Sequence, residues 1–223
     1  MAIFFIEGPD RCGKSTQIKR LMSRLAREDI YEEKIKPIQW LHFSAIRNVS
    51  PQEQKNLFKA TFKHMFKLLA QPMPAHWILD RTHLGDYVYA PMYRNDYDTD
   101  YVFELERTAL STIASPCLLI LLYDSSFENL KRDDGDSLNA NIDLEKAKEE
   151  VLRFKDAWAR SGIKAKIMVD IKDKNPDEVE TEIWEGVKAI AYDIPKLRIE
   201  SFRKRIDPRP AQEALEKSKS SDD

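Results

Sequence analysis

The chain has 223 residues, of which 42% are hydrophobic and 33% charged, a composition that fits one globular domain with a sizeable core, or one domain plus an appendage. A net charge of −2 excludes an overall basic field for nucleic acid or anionic membranes, and two cysteines are too few for a disulfide framework. No stretch approaches the roughly 18 apolar residues of a membrane span, and the first apolar run ends at Glu7, so we expect no signal peptide and a cytoplasmic protein.

The first half of the chain alternates between buried strands and amphipathic helices. Residues 2–6 are a continuous apolar run, typical of a strand buried on both faces, and apolar residues at helical spacing follow over residues 14–28. Residues 35–43 contain a second strand pattern. Residues 50–53, Ser-Pro-Gln-Glu, then form a helix start with an N-cap, a proline in the first turn and a capping-box glutamate.

The second half of the chain continues this alternation. A strand is predicted over residues 77–79, followed directly by Asp80 and Arg81, then a helix over residues 101–114 and a buried strand over residues 117–122. A helix over residues 142–160 follows, with Leu144 facing inward and Gly162 as its C-cap. The last predicted elements are a strand over residues 165–169 and a helix from Pro176 to about residue 191. Strands that alternate with helices predict an α/β fold in which helices cover both faces of a parallel sheet.

A phosphate-binding motif connects the first strand to the first helix. Gly8-x-x-x-x-Gly13-Lys14-Ser15 matches the pattern G-x-x-x-x-G-K-[ST], in which glycines let the backbone curl until its N–H groups point inward. The helix that follows adds the positive end of its dipole, Lys14 would reach the β- and γ-phosphates, and Ser15 would bind Mg²⁺. The alternative is a glycine turn that precedes a helix by chance, which the strand-loop-helix context disfavours.

Two charged residues lie inside this loop. An arginine at position 11 can lean over a phosphoryl group in transfer and offset its charge, as an arginine finger supplied in cis does. The carboxylate of Asp10 would repel phosphate, so we expect it to contact a sugar hydroxyl instead. The alternative is that both side chains are solvated loop residues.

Two segments resemble thymidylate kinases. Residues 5–17, Phe-Ile-Glu-Gly-Pro-Asp-Arg-Cys-Gly-Lys-Ser-Thr-Gln, resemble the phosphate loop of the eukaryotic and viral members, and residues 77–81, Trp-Ile-Leu-Asp-Arg, are similar to their strand-end Asp-Arg pair. The resemblance extends over about residues 1–191. It implies a P-loop NTPase fold of the nucleoside monophosphate kinase type with a five-stranded parallel sheet. It also implies a kinase domain over residues 1–194, with a lid at about residues 130–141, followed by a charged extension over residues 195–223 whose end is expected to be disordered.

The resemblance implies ATP as phosphate donor, Mg²⁺, and a deoxynucleoside monophosphate, above all dTMP, as acceptor. The catalytic residues that it implies are Arg11, Lys14, Arg81 and Arg132. The residues that it places around the donor are Gly8, Asp10, Arg11, Cys12, Gly13, Lys14, Ser15 and Thr16. The acceptor residues that it implies are Asp10, Phe62, Phe66, Arg81, Asp86 and Tyr89, and Arg47 is a further candidate from a segment that departs from the family. Ser15 would bind the metal directly, and Asp80 would assist through water.

Individual acceptor roles also follow from the resemblance. Asp10 would contact the 3′-hydroxyl, Arg81 would grip the monophosphate, and Tyr89 would lie against the deoxyribose and reject a 2′-hydroxyl. Phe62 or Phe66, one helical turn apart, would stack on the thymine ring. The alternatives are that the phenylalanines are core and that Asp80-Arg81 is a local ion pair.

The sequence departs from the family in two places. The Arg-Glu-Pro-like segment after the second strand is absent, and residues 42–48 read His-Phe-Ser-Ala-Ile-Arg-Asn instead, so Arg47 is the candidate substitute. This leaves the base preference open and favours a phage or viral relative. The lid segment has Lys131 and Arg132 but lacks the repeated arginines of bacterial lids, which agrees with a catalytic arginine in the phosphate loop.

Two other functions compete. Residues 80–90 are also similar to a block of deoxynucleoside kinases, but those enzymes need a carboxylate after the second strand to deprotonate a 5′-hydroxyl, and residues 40–44 supply none. A non-catalytic nucleotide-binding module, such as a GTPase-like switch, would need an Asn/Thr-Lys-x-Asp motif that the sequence lacks. The expected partners are small nucleotides, with no nucleic acid and no membrane, and the resemblance implies a homodimer.

Overall fold

A computed structural model describes residues 1–28, 37–44, 49–72, 75–96, 98–131 and 143–190. Five parallel strands form one sheet in the order β2-β3-β1-β4-β5. The strands are β1 (Ile3–Glu7), β2 (Ile38–His42), β3 (His76–Asp80), β4 (Cys117–Tyr123) and β5 (Ala165–Asp170). The helices are α1 (Lys14–Arg27), α2 (Pro51–Leu69), α3 (His83–Tyr93), α4 (Tyr101–Leu110), α5 (Leu144–Arg160) and α6 (residues 176–190), with a short 3-10 helix at Glu128–Lys131.

The two faces of the sheet carry separate hydrophobic cores. Because successive side chains of a strand point to opposite faces, Ile3 and Phe5 of β1 pack against α2, α3, α4 and α5, whereas Phe4 and Ile6 pack against α1 and α6. The sheet therefore has helices on both faces, as the sequence predicted. None of the described helices is long and apolar enough to cross a membrane.

Capping residues mark the starts of α2 and α5. Ser50 is the N-cap of α2, its hydroxyl accepts from the Glu53 N–H at 3.3 Å, and the Glu53 carboxylate accepts from the Ser50 N–H at 2.9 Å. This is the predicted capping box. Asp143 caps α5 in the same way by accepting from the Lys146 N–H at 3.1 Å, so α5 begins at Leu144 and not at residue 142, which lies outside the described residues.

Three other local predictions were wrong, and for Gly162 a tertiary contact gives the reason. Leu144 is 46% exposed and does not face inward. Gly162 is not a left-handed C-cap, since Ser161 caps α5 and Gly162 has no positive φ. A Cβ at Gly162 would lie 3.4 Å from the Glu106 carboxylate, to which its N–H donates, so this glycine allows close packing against α4. The helix α4 also ends at Leu110, earlier than predicted.

Candidate active site

The phosphate loop curls tightly between β1 and α1. Gly8 has φ 145°, and a Cβ there would lie 2.0 Å from the carbonyl oxygen of Leu122 in β4, so the backbone of the two segments touches. Gly13, the N-cap of α1, has φ 79°, in the left-handed region that favours glycine. Arg11 adopts φ 64° between them. The glycines therefore stand where the curl of the loop requires them.

Lys14 is folded back onto this loop. Its ammonium donates to the carbonyl oxygen of Gly8 at 2.8 Å and to that of Pro9 at 2.5 Å, and the residue is 5% exposed. Cys12 lies beneath, packed in the core that α1 covers, and burial raises the pKa of its thiol. The neighbouring Ser15, by contrast, is exposed at the start of α1. The loop thus presents one cation and one hydroxyl at the amino-terminal end of a helix.

The side chains of Asp10 and Arg11 contact two segments outside the phosphate loop. The Asp10 carboxylate pairs with the Arg81 guanidinium at 2.6 Å, just after β3. The Arg11 guanidinium donates to the carbonyl oxygen of Leu130 at 2.8 Å, in the 3-10 helix at the start of the predicted lid. Both side chains therefore have protein contacts, which contradicts the alternative that they are solvated loop residues.

Asp80 ends β3 and is almost fully buried, with 2% exposure. The parallel register places His42 of β2 beside it, and the two side chains are hydrogen-bonded at 2.8 Å. The other ring nitrogen of His42 lies 2.7 Å from the Ser44 hydroxyl. The second carboxylate oxygen of Asp80 is buried and has no hydrogen-bond partner among the described residues.

These groups fit a magnesium ion. Asp80 lies two residues after Ile78 and so on the face of the sheet that α1 covers, where Ser15 also stands. A free carboxylate oxygen and a hydroxyl are hard ligands of the kind that Mg²⁺ prefers, and Mg²⁺ completes its shell with water and phosphate. No group of three or more His, Cys, Asp or Glu side chains among the described residues could hold a metal by itself.

A small cavity opens beside Arg81 on the other face of the sheet. It has a volume of about 130 Å³ and is lined by Phe43, Ser44, Phe58, Phe62, Arg81, Thr82, Gly85, Asp86, Tyr89 and Arg94. The Phe58 and Phe62 rings stack, with centroids 5.5 Å apart and planes 27° apart. The hydroxyl of Tyr89 is buried with no partner among the described residues, and burial raises its pKa well above the usual range.

The cavity gathers most of the predicted acceptor residues. Phe66 is not among the lining residues; its ring lies 5.0 Å from that of His83 and packs in the core. The sequence missed Phe58, one turn before Phe62, and Arg94, at the carboxyl end of α3. Arg47 and Arg132, by contrast, lie outside the described residues, and their roles stay predictions.

The helix α3 itself was not predicted, although it forms one wall of the cavity. Its first residue, His83, is fully buried and is hydrogen-bonded to Glu106 of α4 at 2.8 Å. This histidine therefore has a structural role. Glu7 of β1 completes the support by accepting from the N–H and hydroxyl of Thr82 at 2.7 and 2.5 Å.

The sequence profile of thymidylate kinases matches residues 6–183. The chain belongs to the thymidylate kinase family. Its members are ATP-dependent nucleoside monophosphate kinases, and so is this chain. The matched range includes both the phosphate loop and the residues that line the cavity. No curated relative matches the chain in sequence.

Solved structures share the fold at low sequence identity. The thymidylate kinase of Candida albicans, described as having broad substrate specificity, has a TM-score of 0.58 and 19% identity over 84% of this chain and 91% of its own. The YorR protein of Bacillus subtilis, in complex with phosphorylated GDP, has a TM-score of 0.57 and 19% identity over 83% and 95%. The thymidylate kinase of Ehrlichia chaffeensis has a TM-score of 0.58 and 14% identity over 83% and 98%.

Proposed function

We propose that this thymidylate kinase family member transfers the γ-phosphate of ATP to a deoxynucleoside 5′-monophosphate, with dTMP as the preferred acceptor. The observation that carries the proposal is the 2.6 Å ion pair between Asp10 of the phosphate loop and Arg81, which lines the aromatic cavity. This ion pair connects the loop that would bind the phosphate donor to an arginine that could bind the phosphate of the acceptor. The two substrates would therefore meet at this pair.

On the donor side, the backbone N–H groups of the loop and the amino-terminal end of α1 would hold the β- and γ-phosphates. Lys14 would exchange its two loop carbonyls for phosphate oxygens, since a carbonyl is a weaker partner for an ammonium than an anionic oxygen. Ser15 and the free oxygen of Asp80 would hold Mg²⁺, with water between Asp80 and the ion. When bound, the metal would supply positive charge that offsets the charge developing on the phosphates.

On the acceptor side, Arg81 would take the 5′-phosphate and Asp10 the 3′-hydroxyl. Tyr89 would lie against the deoxyribose, and Phe62, with Phe58 stacked on it, would contact the base. An acceptor phosphate is already an anionic nucleophile, so positioning and charge neutralisation supply the catalysis without a general base. Arg11, and in the closed lid Arg132, would neutralise charge on the group in transfer.

The end of β2 favours a monophosphate over a nucleoside as acceptor. A nucleoside kinase needs a free carboxylate there to take the proton of the 5′-hydroxyl. Among the described residues the position holds His42, whose ring is already bonded on both sides to Asp80 and Ser44. We also propose a cytoplasmic location, which the low cysteine content favours, together with small-nucleotide partners and a homodimer, which the family resemblance implies.

A substrate panel tests this proposal. The enzyme is assayed with ATP and Mg²⁺ against dTMP, dUMP, dCMP, dGMP, dAMP and thymidine, and monophosphate and diphosphate products are scored separately. The broad specificity described for the Candida albicans protein and the guanine nucleotide in the YorR complex are reasons to include every base. We expect dTDP formation with the highest kcat/KM. Phosphorylation of thymidine without phosphorylation of any monophosphate would refute the proposal.

A further inference from the structure

Arg81 adopts a backbone conformation that residues with a side chain disfavour. Its φ of 56° lies in the left-handed region, which favours glycine, and a side chain stays there only where its surroundings fix it. Beyond the ion pair with Asp10, the Arg81 Nε–H is buried and has no hydrogen-bond partner among the described residues. The position of the guanidinium therefore depends on what holds the turn after β3.

The next residue, Thr82, anchors this turn from the interior. Its N–H and its hydroxyl both donate to one carboxylate oxygen of Glu7, at 2.7 and 2.5 Å. The same hydroxyl lies 3.1 Å from Nδ1 of His83, and the Nε2 of His83 is hydrogen-bonded to Glu106 at 2.8 Å. A continuous line of hydrogen bonds thus runs from the end of β1, through the turn, to α4.

This polar line continues to the carboxyl end of α5. The Glu106 carboxylate accepts from the Ser161 hydroxyl at 2.8 Å and from the N–H of Gly162. Burial alone would raise the pKa of Glu106, but the hydrogen bonds that it accepts outweigh this and lower the pKa. An ionised Glu106 therefore accepts from α3 and from the end of α5 at the same time.

All side chains of the polar line are buried, with 5% exposure or less: Glu7, Thr82, His83, Glu106 and Ser161. Three phenylalanine rings lie around the imidazole of His83, at centroid distances of 5.0, 5.9 and 6.2 Å. These apolar rings offer no other hydrogen-bond acceptor, and a buried polar group that loses its partner is costly, so the line favours a single arrangement. It can therefore hold the turn of Arg81 in one position.

We propose that His83 and Glu106 are positioning residues, which act through Thr82 to aim Arg81 at the acceptor phosphate. Neither His83 nor Glu106 is among the residues that line the cavity. The inference rests on the proposed function, in which Arg81 binds the 5′-phosphate. The base and the sugar would contact other side chains, so a break in the polar line should weaken binding of the phosphate and spare the rest of the nucleotide.

Calorimetry with two ligands separates this role from general support of the cavity. The parent and Glu106→Gln are titrated, without ATP, with dTMP and with thymidine, or with the monophosphate that the substrate panel prefers and its nucleoside. We expect the variant to bind the monophosphate at least about fivefold more weakly, and the nucleoside less than about twofold more weakly. Ile183→Val, in the core on the opposite face of the sheet, controls for lost stability and should leave both dissociation constants unchanged.

Equal weakening of both ligands would overturn the inference, since it would mean that the polar line supports the cavity as a whole. Unchanged binding of the monophosphate by a folded Glu106→Gln would overturn it as well. The proposed function fails on a different result, namely a parent that phosphorylates no monophosphate, and that result would overturn both.

Two changes at Thr82 test the same role if Glu106→Gln does not fold. Thr82→Val keeps the shape of the side chain and removes the hydroxyl that joins Glu7 to His83, whereas Thr82→Ser keeps that hydroxyl. We expect Thr82→Val to show the selective loss of affinity for the monophosphate, and Thr82→Ser to change it by less than about twofold.

A double-mutant cycle then shows whether the effect passes through Arg81. In an Arg81→Ala background, Thr82→Val should weaken binding of the monophosphate by less than about twofold, because the group that the hydroxyl positions is gone. The same loss in that background as in the parent would contradict the inference, since the hydroxyl would then act on the nucleotide or on the cavity directly.

Discussion

Glu150 of α5 gives the sharpest stability prediction, since it is a carboxylate with 5% exposure that accepts a hydrogen bond from the Tyr93 hydroxyl. Burial raises its pKa from the ordinary 4.5 to about 7; the hydrogen bond from Tyr93 opposes this rise, and the nearby charge of Asp10 adds to it. An acid whose pKa is higher in the folded state binds more protons when folded. Its contribution to stability therefore falls as the pH rises from about 4.5 through about 7.

The size of the effect follows from the two pKa values. Each tenfold difference in proton affinity is worth about 1.4 kcal/mol, so the ionised carboxylate costs about 3 kcal/mol above pH 7. Glu150→Gln has the same shape, stays neutral and can still accept from Tyr93. We expect the variant to be more stable than the parent by about 2–3 kcal/mol at pH 8 and equal to it within about 0.5 kcal/mol at pH 4.5.

Urea unfolding without nucleotide, followed by circular dichroism at both pH values, measures this difference. Glu104→Gln on α4 is the control, because that glutamate is exposed and its replacement should change stability by less than about 0.5 kcal/mol at either pH. A stability difference between Glu150→Gln and the parent that is the same at pH 4.5 and pH 8 would show that the buried carboxylate is not the cause.

Three further predictions concern the loop and its neighbours. Arg11→Ala should lower turnover at least about a hundredfold with a smaller effect on acceptor KM, and equal turnover would remove its catalytic role. Gly8→Ala should lower the free energy of unfolding by at least about 3 kcal/mol and abolish ADP binding, because the new Cβ would lie 2.0 Å from the Leu122 oxygen. Gly13→Ala has no atom within 4 Å of its new Cβ and should lower stability by only about 1–2 kcal/mol. Equal losses of stability in thermal melts of the two variants would contradict the steric argument. Ser50→Ala should lose about 1 kcal/mol in urea unfolding, and no loss would mean that the capping box is not stabilising.

The sequence predicted those features whose cause is local. The phosphate loop needs two glycines and a lysine at fixed spacing, and the start of α2 needs Ser50 and Glu53 three residues apart, so a short window contains each signal. The parallel sheet followed from the order of strand and helix patterns. In the loop and the capping box neighbouring residues determine the structure, and the sheet agrees with the order of the patterns.

The features that the sequence missed depend on residues distant in the chain. His42 joins the site because β2 pairs in register with β3, which places it opposite Asp80, 38 residues away. The α3 wall contains Gly85 and Pro91, residues that disfavour helices, and the buried pairs of His83 with Glu106 and of Asp86 with Arg94 hold it in place. No short window contains these partners, so pattern alone does not predict them.

The charged residues of the phosphate loop connect three parts of the active site. Asp10 pairs with Arg81 beside the cavity, Arg11 contacts Leu130 at the start of the predicted lid, and Lys14 remains inside the loop. A movement of this loop by even 1 Å would therefore displace the acceptor cation and the lid contact together with the donor site. Since phosphoryl transfer depends mainly on positioning, we propose that a single loop that aligns all three groups supplies a large part of the catalysis. This explains why an aspartate and an arginine stand where binding the nucleotide alone would require neither.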